Sequence, residues 1–267
     1  MSRIDDRFAD LRQQNHRALI PYAMAGYPDY DSTLKIVRGM VKGGADIIEL
    51  GFPFSDPLAD GPTIQNAATT SLNIGMTLSK YYSMLDEIRD ITDIPIICMT
   101  YSNVAYSVGY DRFIYDMQKH GIDGIILPDM SIDESKEYRD ISAKYGMDTI
   151  FLASPNSTDA RCSRIIEVSD GFLYLVAVYG TTGAQMGVQR YAIDALLRIK
   201  GMSRDLPVGV GFGIRTGEDI KLYVKNGADA LIVGSAILNV VRDAPHDIET
   251  SVSRYVDTLK RETTEGA

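Results

Sequence analysis

The chain has 267 residues, 45% of them hydrophobic and 24% charged, a size and composition that suit one large globular domain and reach the usual length of an α/β barrel. A net charge of -9 excludes the basic surface that nucleic acid or an anionic membrane would require. No run approaches the ~20 apolar residues of a membrane span, no apolar h-region follows the start Met1-Ser-Arg-Ile-Asp-Asp-Arg, and the cysteines Cys98 and Cys162 offer no disulfide framework, so a cytoplasmic protein is expected.

Taken in chain order, the apolar runs 18–25, 46–51, 95–101, 124–128, 149–153, 172–178, 208–212 and 230–234 are eight candidate strands. Most are apolar throughout rather than alternating, the pattern of parallel strands buried on both faces. Cys98, inside Ile96-Ile97-Cys98-Met99, reads as a small core residue. The intervening segments are amphipathic. Leu34, Val37 and Val41 share one face of a helix over 31–41. Ser131-Ile-Asp-Glu134 has the spacing of a capping box and predicts a helix that ends before Gly146; Thr216-Gly-Glu-Asp219 predicts another start. The tail 263–267 is expected to be frayed. A weak repeat runs through the layout: a helix-ending glycine, one residue, then aspartate and an apolar strand, at Gly44-Ala-Asp46, Gly121-Ile-Asp123, Gly146-Met-Asp148 and Gly227-Ala-Asp229. Eight strands alternating with helices predict a single (β/α)8 TIM barrel over residues 1–267, with extra helices and a long loop after the sixth strand. The competing doubly wound sheet normally carries a glycine-rich dinucleotide turn after its first strand, and Met24-Ala-Gly26-Tyr-Pro28 is not that motif.

In a barrel the chemistry sits at the C-terminal ends of the strands. Those ends carry Glu49, Thr100-Tyr-Ser-Asn103, Leu127-Pro-Asp129, Gly211-Phe-Gly213 and Gly234-Ser235. The last two point to phosphate. Gly213 leaves backbone N–H groups open to close approach, and a short helix over 236–241 would aim its N-terminus at an anion. Tyr179-Gly-Thr-Thr-Gly183-Ala-Gln-Met-Gly187 suits either a mobile lid or a long, poorly ordered loop. No lysine lies in any strand, so a Schiff-base mechanism has no obvious home, and His16, His120 and His246 lack metal-ligand spacing; no metal is expected. What remains is acid/base chemistry on a small phosphorylated substrate. Glu49 alone fits a buried structural ion pair as well as a proton-transfer group. Asp56 and Asp60 alone fit turn caps. A carboxylate pair, Glu49 with Asp60, on one proline-stiffened loop mouth shifts the balance toward a site.

The run Glu49-Leu-Gly-Phe-Pro-Phe-Ser-Asp-Pro-Leu-Ala-Asp60-Gly-Pro-Thr-Ile-Gln65 resembles the signature of the tryptophan synthase α-subunit family. The likeness extends over nearly the whole chain: 21–29, Leu127-Pro-Asp129, 179–183, Gly211-Phe-Gly-Ile214 and Ile232-Val-Gly-Ser235 fall in the family's order and spacing. The resemblance implies a lyase that cleaves indole-3-glycerol phosphate to indole and glyceraldehyde 3-phosphate. By motif, Glu49 would be the general acid/base and Asp60 would take the indole N–H. Tyr174 would line the site near Glu49. Gly183, Gly213, Gly234 and Ser235 would hold phosphate, Thr182 in the lid would order the catalytic geometry, and Phe212 and Tyr22 would wall the indole pocket. A β subunit is implied as partner, in an α2β2 heterotetramer, contacted through Pro53, exposed Phe54, Asp56, Pro57 and Asn103. Pyridoxal phosphate would belong to that partner, with no cofactor in this chain. Met24, Ser131, Ala177 and Tyr179 depart from the family pattern without removing a catalytic group. The alternatives are a standalone lyase, another phosphate-binding barrel, and a ligand-binding regulatory subunit with little turnover.

Overall fold

The computed structural model describes residues 2–177 and 185–264, the side chains of 185–189 excepted. Its strands are β1 (Ala18–Met24), β2 (Ile48–Gly51), β3 (Ile96–Met99), β4 (Gly124–Ile126), β5 (Asp148–Ile150), β6 (Leu152–Ala153), β7 (Leu173–Val176), β8 (Val208–Gly211) and β9 (Ala230–Val233). The helices are α1 (Arg3–Gln13), α2 (Tyr30–Lys42), α3 (Pro62–Asn73), α4 (Leu78–Ile91), α5 (Ser102–Val108), α6 (Tyr110–Lys119), α7 (Lys136–Lys144), α8 (Asp159–Val168), α9 (Gln185–Ser203), α10 (Gly217–Lys225), α11 (Ser235–Asp243) and α12 (Ile248–Lys260).

The strands form one parallel sheet in the order β5-β4-β3-β2-β1-β9-β8-β7-β6. β5 and β6 are two halves of the single strand expected over 149–153, and the ladder changes neighbour at Phe151. Ile150 pairs with Ile126 of β4, Leu152 pairs with Tyr174 of β7, and the Phe151 carbonyl accepts from Tyr174 N–H at 3.0 Å. One stave therefore bonds to both edges of the sheet and closes the barrel into eight staves, the expected TIM architecture. β1, β2, β3, β8 and β9 are buried along their whole length, as their unbroken apolar runs require.

The glycine–x–aspartate repeat has a structural meaning. Gly44, Gly121, Gly146 and Gly227 all end helices with φ between 65° and 91°, the left-handed region that glycine enters without steric cost. Three of the aspartates that follow then clasp the foot of the preceding stave. Asp46 accepts the Leu19 N–H at 2.7 Å, Asp123 the Ile96 N–H at 2.8 Å and Asp229 the Val208 N–H at 2.7 Å. Each also meets a cation: Lys260 and Arg7 at Asp46, Arg89 at Asp123, Lys200 at Asp229. The fourth, Asp148, accepts instead from Ser2 Oγ at 2.6 Å, and so ties down α1, whose Ile4, Phe8 and Leu11 plug the bottom of the barrel.

Two local expectations are corrected. Ser131–Glu134 forms a turn, not a capping box; the helix begins at Lys136, after buried Ser135 has bonded its hydroxyl to the Ile132 carbonyl. Thr263 and Thr264, placed by sequence in a loose tail, are anchored: Thr263 is fully buried and accepts from Arg17 N–H at 2.9 Å, and Thr264 bridges to His16. The Thr216 capping box at α10 is present, with Asp219 as its reciprocal partner.

Candidate active site

Glu49 lies in β2, opposite Tyr22 of β1 and Ile97 of β3. It is 1% exposed, and its Oε2 has no hydrogen-bond partner among the described residues. A carboxylate in that position is poorly solvated. Burial, and secondarily the charge of Asp60, push the Glu49 carboxyl up to about 8, so it carries its proton at neutral pH. Such a group can give a proton and take one back within a single turnover.

Asp60 arrives from the loop that joins β2 to α3. Gly61 caps α3 with extended backbone and Pro62 occupies its first turn, so the chain at Asp60 is held stiffly as it enters the helix. Burial raises the Asp60 carboxyl to about 6, opposed by a hydrogen bond from the Tyr101 hydroxyl to Oδ2 at 3.1 Å. Its Oδ1 is buried without a partner among the described residues. The two carboxylates face adjoining cavities that share Tyr22 and Met99 as a common wall. Glu49 lies in the first, which is partly open to solvent; Asp60 lies in the second. The pair therefore divides the roles: Glu49 is held protonated, and Asp60 is ionised above its pKa near 6.

The Glu49 cavity gathers Tyr174, Phe212, Gly213, Gly234 and Ser235, with Ile64, Ile214 and Ile232. Tyr174 meets Phe212 edge-on, with ring centroids 6.3 Å apart. Burial, first, and the nearby carboxylates hold the phenols of Tyr22 and Tyr174 well above their ordinary value, so both remain neutral donors. At the far end, Phe212 and Gly213 adopt φ of 72° and 82°. A non-glycine aromatic in that region is strained, and strain of this kind collects at ligand sites. Gly234 caps α11 without a side-chain hydrogen bond, leaving the helix N-terminus and its positive dipole end directed at the cavity. The helix expected over 236–241 runs from Ser235 to Asp243. Thr182 and Gly183 lie outside the described residues, as does Tyr179.

Several close contacts that shape the site were not read from sequence. A Cβ on Gly51 would lie 2.3 Å from the Tyr22 hydroxyl, and one on Gly211 would lie 2.2 Å from that of Tyr174. These glycines make the space that the two phenols occupy. Glycine within a strand is itself a signal of close approach, and Gly51 shares a face with Glu49 at the period of two. Met24, where the family pattern has a small polar residue, is buried and takes the Tyr22 hydroxyl on its sulfur at 3.8 Å.

The expected partner residues are only in part on the surface. Asp56 and Asn103 are exposed and Pro57 is half-buried. Pro53 is buried. Phe54, expected to be exposed, is half-buried because its ring stacks on Tyr101 at 5.1 Å. The exposed apolar groups beside it are instead Leu58, 91% exposed, and Tyr106, 74% exposed, lining one groove with Phe54, Asp56 and Asn103.

Residues 8–266 match the family model described as tryptophan synthase alpha chain. The chain belongs to that family. It is 41% identical over 264 residues to the tryptophan synthase alpha chain of Methanosarcina acetivorans, covering 99% of this chain and 93% of that protein. Among solved structures, tryptophan synthase subunit alpha from Legionella pneumophila superposes with a TM-score of 0.90 at 31% identity, covering 98% of each chain. A chain of the tryptophan synthase complex from Pyrococcus furiosus superposes with a TM-score of 0.84 at 35% identity, covering 92% of this chain and 98% of that one. Tryptophan synthase alpha chains are lyases of tryptophan biosynthesis that cleave indole-3-glycerol phosphate, and this is the α reaction of the chain described here. Among the described residues no helix is long and apolar enough to cross a membrane.

Proposed function

We propose that Glu49 and Asp60 carry out the retro-aldol cleavage of indole-3-glycerol phosphate to indole and glyceraldehyde 3-phosphate. The observation that carries this reading is the buried Glu49 carboxyl, its Oε2 without a hydrogen-bond partner among the described residues, facing the cavity that ends at the N-terminus of α11. The substrate phosphate sits against Gly213, Gly234 and Ser235, where open backbone N–H groups and the helix dipole favour an anion. The indole ring lies between Tyr22, Tyr174 and Phe212.

Glu49 first donates its proton to indole C3, which places cationic character on the ring nitrogen. Asp60, ionised, accepts a hydrogen bond from the ring N–H through its free Oδ1 and opposes that charge. A charge-assisted bond of this kind contributes roughly 1.5–3 kcal/mol. The Glu49 carboxylate then takes the proton of the adjacent glycerol hydroxyl. The bond between C3 and the glycerol carbon breaks, its electron pair returns to the ring, and the hydroxyl carbon becomes the aldehyde. Glu49 ends protonated, as it began. A positioned acid/base of this kind gives about 10²–10⁴-fold in rate.

The chain acts as one barrel unit, over 1–267, in the cytoplasm, where its buried free thiols Cys98 and Cys162 remain reduced. It pairs with a β subunit in an α2β2 heterotetramer through the face that carries Phe54, Asp56, Pro57 and Asn103, with buried Pro53 stiffening the loop beneath, and pyridoxal phosphate belongs to that subunit. The test is indole release from indole-3-glycerol phosphate, with the purified chain alone and then with its matching β subunit. Slow release that rises sharply with β supports the reading. Equally fast release without β identifies a standalone lyase. No release under either condition, with substrate still bound, removes the catalytic assignment.

A further inference from the structure

Tyr101 stands where β3 gives way to α5 and holds the β2–α3 loop at two separated points. Its ring stacks on Phe54, with centroids 5.1 Å apart and planes within 25°. Its hydroxyl accepts the Ala59 N–H at 3.0 Å and donates to Asp60 Oδ2 at 3.1 Å. The side chain is itself 4% exposed, so it has little freedom to move without moving what it touches. Its backbone is fixed from the other side: the next residue, Ser102, bonds Asp129 through both N–H, at 2.9 Å, and Oγ, at 2.6 Å. Phe54 borders the exposed groove of Leu58, Tyr106 and Asn103, whereas Asp60 faces the interior cavity. One rigid phenol thus touches both faces of the loop.

We infer that Tyr101 is a positioning residue that carries docking at the Phe54 surface inward to Asp60, fixing which carboxylate oxygen is left free for the substrate. The inference rests on the reading of Asp60 given above. A partner pressing on Phe54 shifts the stacked ring. Because the phenol is stiff, its hydroxyl moves with it, and Ala59 and Asp60 follow. With Oδ2 taken by Tyr101, Oδ1 is the oxygen that remains for an indole N–H. The same bond favours the ionised carboxyl against burial, and Glu49, which keeps its proton at neutral pH, is the other titratable carboxyl that faces the shared wall.

The test is Tyr101→Phe, which keeps the ring and its stacking and removes only the hydroxyl. Carbon-13 NMR of the Asp60 carboxyl follows its titration with and without the β subunit, alongside steady-state indole release. In the variant the Asp60 midpoint rises from its value of about 6, and the acid limb of kcat/KM moves up with it. kcat falls roughly tenfold, as loss of a hydrogen bond to a charged group implies, while KM for the phosphorylated substrate changes less than about twofold. Adding β moves the Asp60 resonance in the native chain and no longer does so in the variant. Residual activation by β is correspondingly reduced. An unmoved midpoint overturns the inference, and so does a β-induced change at Asp60 that survives loss of the hydroxyl. Absence of indole release by the native chain, with or without β, would instead refute the functional reading, since the NMR titration does not depend on turnover.

Discussion

Replacing Glu49 by Gln keeps the shape of the side chain and removes its proton chemistry, so its effects on turnover and on stability separate cleanly. Burial holds the folded carboxyl near 8 against an ordinary value of 4.5. At 1.36 kcal/mol for each tenfold step, that difference corresponds to at most about 5 kcal/mol, and relaxation around the site brings a realistic figure to about 2 kcal/mol. The sign follows from proton linkage. Between 4.5 and 8 the unfolded chain has released a proton that the folded chain still binds, so the native protein loses stability as pH rises through this window. Glutamine escapes that loss. For 267 residues, an unfolding entropy of about 2.1 cal/mol/K per residue converts 2 kcal/mol into a Tm higher by about 4 °C. Calorimetry from pH 4 to pH 9 should show no difference between native and variant at the acid end and the full difference above pH 8. In parallel, indole release should fall at least 100-fold while binding of glycerol phosphate stays within about threefold. A Tm difference that is the same at pH 4 and pH 9 would refute the claim that Glu49 is held protonated by its surroundings. Near-normal turnover would remove it from the mechanism.

Asp60→Asn should slow cleavage, and less so for substrates whose indole ring carries electron-donating groups, because a richer ring needs less help with the developing charge; equal losses across such a series, read as kcat/KM, would reduce Asp60 to a loop cap. Gly211→Ala should displace the Tyr174 hydroxyl, which a Cβ would approach to 2.2 Å, with a cost of about 1–3 kcal/mol in urea unfolding and a larger proportional loss of kcat than Gly201→Ala, whose Cβ meets nothing. Asp46→Ala should destabilise by about 2–3 kcal/mol, because it removes a fully buried carboxylate and leaves the buried Leu19 N–H without its acceptor and the partly exposed Arg7 and Lys260 without their anion. Denaturant unfolding checks this, and indole release at low temperature should remain close to native because the substitution lies at the end of the barrel away from the chemistry.

The staves were legible because strands buried on both faces announce themselves as unbroken apolar runs, and the site was legible in outline because an acid at the end of such a run is conspicuous. Thr216 was read correctly as a cap, while Ser131 was not: both carry the right local spacing, but the chain around Ser131 is committed to a turn that buries Ser135. Tyr101 was placed at a strand end that faces the site but given no role, because its own segment does not show what its hydroxyl meets. Its meaning comes from Asp60, 41 positions away. Gly51 and Gly211 look like ordinary strand glycines until the neighbouring stave places a phenol over each. Phe54 was misplaced for the same reason, since nothing in its own segment reveals the ring that covers it. The recurrence of glycine–x–aspartate was visible, but the target of each carboxylate lies on the stave before it.

Those clasps divide the barrel into units. Asp46 closes a span of 27 residues back to Leu19, Asp123 a span of 27 back to Ile96, and Asp229 a span of 21 back to Val208. Each joins two successive staves, first to second, third to fourth, and seventh to eighth, and none crosses from one such pair to the next. Closing a short span costs little chain entropy, so each pair is a local assembly problem. The chain can therefore be opened between pairs at less expense than within one. New termini at the turn 74–77, between α3 and α4, leave all three spans contiguous, whereas termini at 26–29 send Leu19 and Asp46 to opposite ends of the rearranged polypeptide. A circular permutant of the first kind keeps its foot clasps local and refolds at close to the parental rate; one of the second kind must find that clasp last.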